Sequence, residues 1–366
     1  MYMKRFIVFT AAIALVFSLA ACTGATAKTA PPESGGVKVG VSMPTKSLQR
    51  WNQDGENIKT QLEAAGYEVD LQYAGDNEPQ LQITQIEDMI STGCRVLVIA
   101  AVDGTLLGSP LQQAKDAGIP VIAYDRLIMN SDAVSYYASF DNLLVGELQG
   151  RFIVDALGLD KNEGPFNIEL FTGDPGDNNI NYFFGGAMYV LQPYIGSGKL
   201  VVRSGETTQA QAATEGWNSE KSRARMENLI SSQGYSPNGT RLDAVLSSND
   251  SVALGITNAL VDAGFTAEDF PILTGQDFDI ENTKNILKGL QSMSIFKDTR
   301  ILAARVVTMV DSILKGDKPE VNDTQSYNNG TGVIPAYLLM PVVGTASDIQ
   351  KLLIDSGYYT KEQLGM

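Results

Sequence analysis

The sequence predicts an α/β fold made of two doubly wound parallel-sheet lobes joined by a hinge, with a ligand cleft between them. Three observations carry that prediction. Short apolar runs rich in Val, Ile and Leu alternate with helical patterns from residue 37 onward. The alternation starts afresh in the second half of the chain, giving two sets of similar size. Polar and charged residues gather immediately after the apolar runs, where open parallel sheets place their ligands.

The elements follow in order. Residues 37–43 (VKVGVSM) read as a strand, and 51–65 as a helix that stops at Gly66. Strand 67–73 (YEVDLQY), helix 79–92 ending at Gly93, strand 96–102 (VLVIAAV), helix 106–117 and strand 119–125 (IPVIAYD) complete the first set. The second set comprises strand 136–140, helix 143–157, strand 166–171 (FNIELF), helix 183–191, strand 199–204 and helix 217–232. Strand 243–248 (DAVLSS), helix 252–263, strands 271–277 (PILTGQD) and 292–296, helix 299–314 and an extended segment 337–342 (YLLMPV) close it. Near-continuous apolar strands separated by helices require a sheet covered on both faces.

The N-terminus predicts the compartment. Lys4 and Arg5 precede an uncharged stretch, 6–21, that is shorter than the roughly 20 residues a spanning helix needs. It ends Leu19-Ala20-Ala21-Cys22, and this segment resembles a bacterial lipoprotein signal, which implies lipidation of Cys22. The reading is therefore a signal peptide over 1–21 and a flexible Gly/Ala/Thr/Pro tether over 22–36. It places the protein in the cell envelope, outside the cytoplasmic membrane, touching membrane only through the lipid anchor.

Composition removes several function classes. The chain holds 27 basic and 42 acidic residues; without the leader 25 basic residues remain, for a net charge of −17. That balance argues against nucleic acid and anionic membrane surfaces as partners. Histidine is absent, so His-based acid–base catalysis, His-dependent nucleophile systems and the common zinc sites are excluded. No metal, cofactor or catalytic residue is expected. With Cys22 lipidated, Cys94 has no disulfide partner, and its place before an apolar run reads as a small buried residue.

Six strand ends carry the candidate site. They present Arg50-Trp51, Asp125-Arg126, the run 172–179, Asn249-Asp250, Gln276-Asp277 and Lys297-Asp298. Taken singly, an Asp or Asn there is a helix cap. The set is more telling, because caps do not require Arg, Lys and Trp alongside. A sugar hydroxyl both donates and accepts, so it calls for carboxylates and amides next to guanidinium and ammonium groups. Its C–H faces call for aromatic rings, and the only two tryptophans, Trp51 and Trp217, lie in or beside these loops. Tyr182, Phe183 and Phe184 read rather as a helix packing face. Carboxylates such as Asp125 and Asp277 could in principle serve a glycosidase, but flanked by Arg and Lys they should stay ionised and accept hydrogen bonds, so no enzyme is expected.

These residues resemble the periplasmic sugar-binding proteins of ABC transporters with the type I fold, and among them the xylose-binding and multiple-monosaccharide receptors. The resemblance runs from about residue 37 to the C-terminus on the blocks VIAYDR, SFDN, VGELQ, FNIEL, DNN, VLQPYIGSGKL, SND, GQD and IFKDTR. It implies ligand contacts from Arg50, Trp51, Asp125, Arg126, Asp177, Asn179, Trp217, Asn249, Asp277 and Lys297. Within the DNN turn Asp177 and Asn179 are preferred over Asn178, and Asp103 is a weaker candidate. The loop GETTQAQAATEGW departs from the family pattern and loosens the placement of Trp217. The resemblance also implies crossings between lobes near Asp141, Lys297 and Asn322, giving one lobe over 37–141 with 298–322 and another over 142–297 with 323–366. The expected function is capture of a free aldose (xylose, glucose, galactose or arabinose) by hinged closure for a membrane permease. A chemoreceptor or sensor kinase is the alternative partner, and a non-sugar polyol or furanosyl signal molecule the alternative ligand. A repressor of the same fold is excluded, because no basic DNA-binding head precedes residue 37.

Overall fold

The computed structural model describes residues 36–161 and 164–366; the expected leader, the lipidation site Cys22 and the tether up to residue 35 lie outside the described residues. In chain order the first elements are β1 (Lys38–Met43), α1 (Gln49–Ala64), β2 (Glu68–Tyr73), α2 (Pro79–Ser91), β3 (Val96–Ile99), α3 (Gly108–Asp116), β4 (Val121–Tyr124) and β5 (Val134–Phe140). Then come α4 (Asn142–Leu157), β6 (Phe166–Phe171), α5 (Asn179–Gly196), β7 (Leu200–Val202), the short α6 (Gln209–Ala212), α7 (Ser219–Gln233), β8 (Ala244–Ser247) and α8 (Asp250–Asp262). The chain finishes with β9 (Ile272–Leu273), α9 (Ile280–Leu287), β10 (Ser294–Phe296), α10 (Thr299–Lys315), β11 (Ala336–Leu339), β12 (Val342–Gly344) and α11 (Lys361–Leu364).

Two parallel sheets result. The first has the order β11-β5-β4-β3-β1-β2 and the second β7-β6-β8-β9, and every pairing within both is parallel. The two-residue period of a strand explains why the sequence looked continuously apolar. Val96, Val98 and Ala100 point into the core shared with α1 and α10, while Leu97, Ile99 and Ala101 point into the core beneath α2 and α3. In the second sheet Val245 faces the α7–α8 core, and its neighbours Ala244 and Leu246 face the opposite one. Both faces of each sheet are covered by helices, so the central strands are mainly apolar on both sides.

Helix ends are set by local chemistry. Asp141 caps α4 by accepting from Leu144 N at 3.0 Å, and Gly158 ends it in the left-handed region at φ 61°. Asn218 and Asp298 cap α7 and α10 in the same way. Helices α4 and α5 approach so closely that a Cβ on Gly186 would lie 2.2 Å from the Leu143 carbonyl oxygen.

Two expectations need correction. The segment after Asn322 was assigned to the second lobe, yet β11 pairs with β5 in the first sheet, and Tyr327 and Ile334 lie in that sheet's core. The extended segment 337–342 is also two strands. Pro341 lacks an N–H and interrupts the ladder, and the chain then leaves the first sheet so that β12 pairs antiparallel with β10. Helix α9 and the C-terminal turns over Gln350–Asp355 and Lys361–Leu364 were not anticipated. Their apolar residues form a separate cluster with Phe278 and Phe296.

Candidate functional site

All ten predicted contacts line one small space. It lies where the carboxyl ends of the two sheets meet. Arg50 and Trp51 come from the start of α1, and Asp125 and Arg126 directly follow β4. Asp177 and Asn179 come from the turn between β6 and α5, and Trp217 precedes α7. Asn249 ends the turn after β8, Asp277 follows β9, and Lys297 follows β10. Leu48, Phe183 and Gln276 complete the lining.

The charged groups form a buried lattice. Arg50 Nη2 lies 2.8 Å from Asp54 Oδ2 and 3.0 Å from Asp125 Oδ2, and its Nη1 lies 3.5 Å from Asp277 Oδ1. Lys297, only 2 % exposed, places Nζ 3.0 Å from Asp277 Oδ1 and 3.9 Å from Asp125 Oδ2. Arg126 Nε lies 2.9 Å from Asp177 Oδ2, and Arg126 Nη1 donates to the carbonyls of Ala101 and Val102. Two guanidinium groups lie over the Trp51 ring, Arg50 at 4.3 Å and Arg126 at 5.1 Å from its centre.

Burial raises the Asp125 carboxyl, but Arg50, then Lys297 and Arg126, outweigh it and hold it below the usual range. Burial likewise raises Asp177 and is only partly countered by Arg126. Arg50 is held well above its ordinary value: burial pulls it down, and Asp125, Asp54 and Asp277 more than compensate. Behind Asp277 lie two more buried carboxyls. Asp250 accepts from Gln291, Ser294 and the Asp279 backbone, and burial followed by the charges of Asp279 and Asp277 raises it strongly. Burial and then the Asp277 charge push Asp279 up to about 7, against the opposing pull of Arg50 and Lys297.

The backbone is strained where these side chains are aimed. Six described non-glycine residues have left-handed φ, and three of them are site residues: Asp125 at 56°, Trp217 at 53° and Asp277 at 99°. Such conformations cost about 1–3 kcal/mol each and collect at binding sites. Trp217 also needs Gly173 beneath it, because a Cβ there would meet its ring at 2.1 Å.

Several polar atoms in the lining are buried without a hydrogen-bond partner: Trp51 Nε1, Trp217 Nε1, Gln276 Oε1 and Asp125 Oδ2, the last within ion-pair distance of Arg50 and Lys297. Two donors and two acceptors thus converge on one small space. Native proteins seldom leave such groups unpaired, and donors and acceptors of this kind can both bond to hydroxyl groups.

The residue-by-residue outcome is uneven. Asn249 Oδ1 caps α8 by accepting from Val252 N, and its amide nitrogen takes no part in that cap. The Asn179 amide is largely spent on Asp125 O, Tyr137 and Asn142. Asn178 accepts from Asn181 and lies outside the lining, and Asp103 is occupied in its own turn with Thr105. Phe183 lines the space and meets Trp217 edge-on at 6.2 Å, whereas Phe184 and Tyr182 pack in cores. Gln276, one of the strand-end residues but not one of the ten expected contacts, lines the space beside Asp277. Sequence reasoning missed Asp54, which takes two hydrogen bonds from Arg50 and one from Tyr124. The i, i+4 spacing of Arg50 and Asp54 was the available signal.

The fold and the site define a two-sheet receptor, a protein that holds a small polar molecule between strand ends. The chain belongs to the periplasmic binding protein family, whose domain model matches residues 39–318. This is a family of binding proteins, and the chain is not an enzyme. It is 51% identical over 328 residues to the multiple sugar-binding periplasmic receptor ChvE of Rhizobium radiobacter, covering 89% of this chain and 92% of that one. It is 34% identical to the D-xylose-binding periplasmic protein of Escherichia coli strain K12, covering 90% and 92%. Among solved structures, an ABC transporter solute-binding protein from Clostridium phytofermentans with bound β-D-glucose superposes with a TM-score of 0.87. The two are 60% identical, over 89% of this chain and 99% of that one.

Proposed function

We propose that this chain is the substrate-binding component of an ABC importer, and that it captures one free aldose in the space bounded by Arg50, Asp125, Trp217, Asp277 and Lys297. The observation that carries this reading is that Trp51, Trp217 and Gln276, each with a buried polar atom lacking a hydrogen-bond partner, line one space together with the charged groups. A sugar ring offers hydroxyls that satisfy both kinds of atom and C–H faces that lie on indole. The relatives named for multiple sugars and xylose, and the glucose-bound structure, support the same ligand class. Like those periplasmic relatives, the chain works outside the cytoplasm.

Three further elements belong to the proposal. The sheets act as lobes that rotate about crossings after Phe140, after Phe296 and after Leu339, opening to admit ligand and closing over it. Residues 1–21 are a leader, and Cys22 carries lipid that retains the receptor near its permease on the 22–36 tether. Cys22→Ser should therefore move the protein from the membrane to the soluble fraction, and an unchanged membrane fraction would remove the anchor from the model.

The ligand class is tested by thermal unfolding of a chain beginning at Val37 with a panel of aldoses, myo-inositol and furanosides. An aldose at about 1,000 times its Kd should add about 4 kcal/mol, a shift of several degrees. A shift with polyol or furanoside alone would replace the aldose reading.

A further inference from the structure

Helix α1 carries Arg50 into the site, and its neighbouring glutamines reach away from the site to the C-terminal segment. Gln49 Nε2 and Gln53 Nε2 donate to the Tyr359 hydroxyl at 2.6 and 3.1 Å. That hydroxyl donates onward to the Phe278 carbonyl at 3.0 Å, and Gln49 Oε1 accepts from Ile280 N at 3.1 Å. Gln49 precedes Arg50, and Phe278 follows Asp277. One buried phenol therefore sits at the node between the element that presents Arg50 and the strand end that presents Asp277. Its ring belongs to the apolar cluster of Phe278, Phe296 and Leu353, so the hydroxyl's bonds join that cluster to α1. Tyr358 adds a weaker strand of the same link, donating to Gln53 Oε1 at 3.2 Å. The phenol oxygen is fully used: it accepts twice and donates once.

We infer that Tyr359 is a positioning residue for ligand capture, a latch whose hydroxyl ties α1 to the Phe278 carbonyl and so holds Arg50 and Asp277 around the ligand. The inference rests on the sugar-binding reading above. Bonds that exist only when the two strand-end rims meet favour the closed arrangement and add nothing to the open one. Encounter takes place with the open form, so loss of the latch speeds release and leaves association unchanged.

The test is Tyr359→Phe, which keeps the ring in its cluster and removes only the hydroxyl. Stopped-flow binding of D-glucose, followed by the fluorescence of Trp51 and Trp217, should give a koff raised about fivefold to tenfold, the loss of one or two net hydrogen bonds. The value of kon and the sugar-free unfolding midpoint should stay near those of the wild type. Gln49→Leu should show the same phenotype, and the double variant should be little worse than either single one, because all act on one node. An unchanged koff in Tyr359→Phe, a loss confined to kon, or additive losses in the double variant would overturn the latch. If the wild type binds no aldose, the sugar reading fails by itself. The latch is then decided by spin-label distances across the cleft, which Tyr359→Phe should lengthen, and an unchanged distance would reject it.

Discussion

Asp277 shows how much a single residue carries here. Its carboxylate is shared by Arg50 and Lys297, and its backbone is held at φ 99°, a region that side chains other than glycine's rarely enter. Removing it leaves two buried cations facing each other with less compensation. Asp277→Ala should therefore weaken aldose binding by about 2–4 kcal/mol, one and a half to three orders of magnitude in Kd by calorimetry. A change below threefold would remove Asp277 from the site. Gln276 is a quieter case. Its Oε1 is buried without a partner while its Nε2 is 3.3 Å from the Ser248 carbonyl, and on the proposed reading the aldose supplies the partner that the acceptor lacks. Gln276→Leu should cost about 1–3 kcal/mol in affinity, in proportion to one lost acceptor. It should leave the sugar-free unfolding midpoint almost unmoved.

At the scale of elements, the turn into α9 stores an acid that titrates near neutrality. Asp279 has an unpartnered, buried Oδ1 and stays protonated in the folded protein up to about pH 7, whereas in the unfolded chain it ionises from its ordinary value of 3.8. Between those values the folded state holds the extra proton, so stability falls as pH rises. Asp279→Asn removes that dependence. The denaturation midpoint of the wild type should drop relative to the variant between pH 5 and pH 8, and parallel curves would contradict the assignment. The α4–α5 pair makes a different prediction. With backbone only 2.2 Å from where a Gly186 Cβ would be, the two helices must separate to admit a methyl group. Gly186→Ala should destabilise the fold by about 1–3 kcal/mol in urea unfolding while leaving the aldose Kd unchanged in the molecules that remain folded.

For the molecule as a whole, the meeting of two sheets explains why no ten-residue segment contains the site. Arg50 reaches Asp277 across more than two hundred positions of sequence, and Lys297 closes the ring with Asp125. If the sheets move as lobes, small-angle scattering should show a smaller radius of gyration with saturating aldose than without it. A radius that does not change would assign binding to a rigid cavity instead of a hinged one.

Apolar runs determined the α/β class, the parallel sheets and the strand ends, because a strand buried on both faces is built mainly from apolar residues. The site residues were legible for a related reason. Arg, Lys and Trp grouped after apolar strands serve no cap or turn, so they stood out as chemistry without structure to explain them. Other features were settled only by tertiary packing. Asn249 caps α8 and also lines the candidate site, while Asn179 is largely consumed by buried neighbours. The left-handed backbone at Asp125, Trp217 and Asp277 leaves no trace in residue type. The return of the chain at 336–339 to the first sheet, and the link from Tyr359 to α1, depend on partners far away in sequence. Local pattern records what a residue must be buried against, apolar or polar. Which distant groups meet is decided by the geometry of two sheets closing on one another.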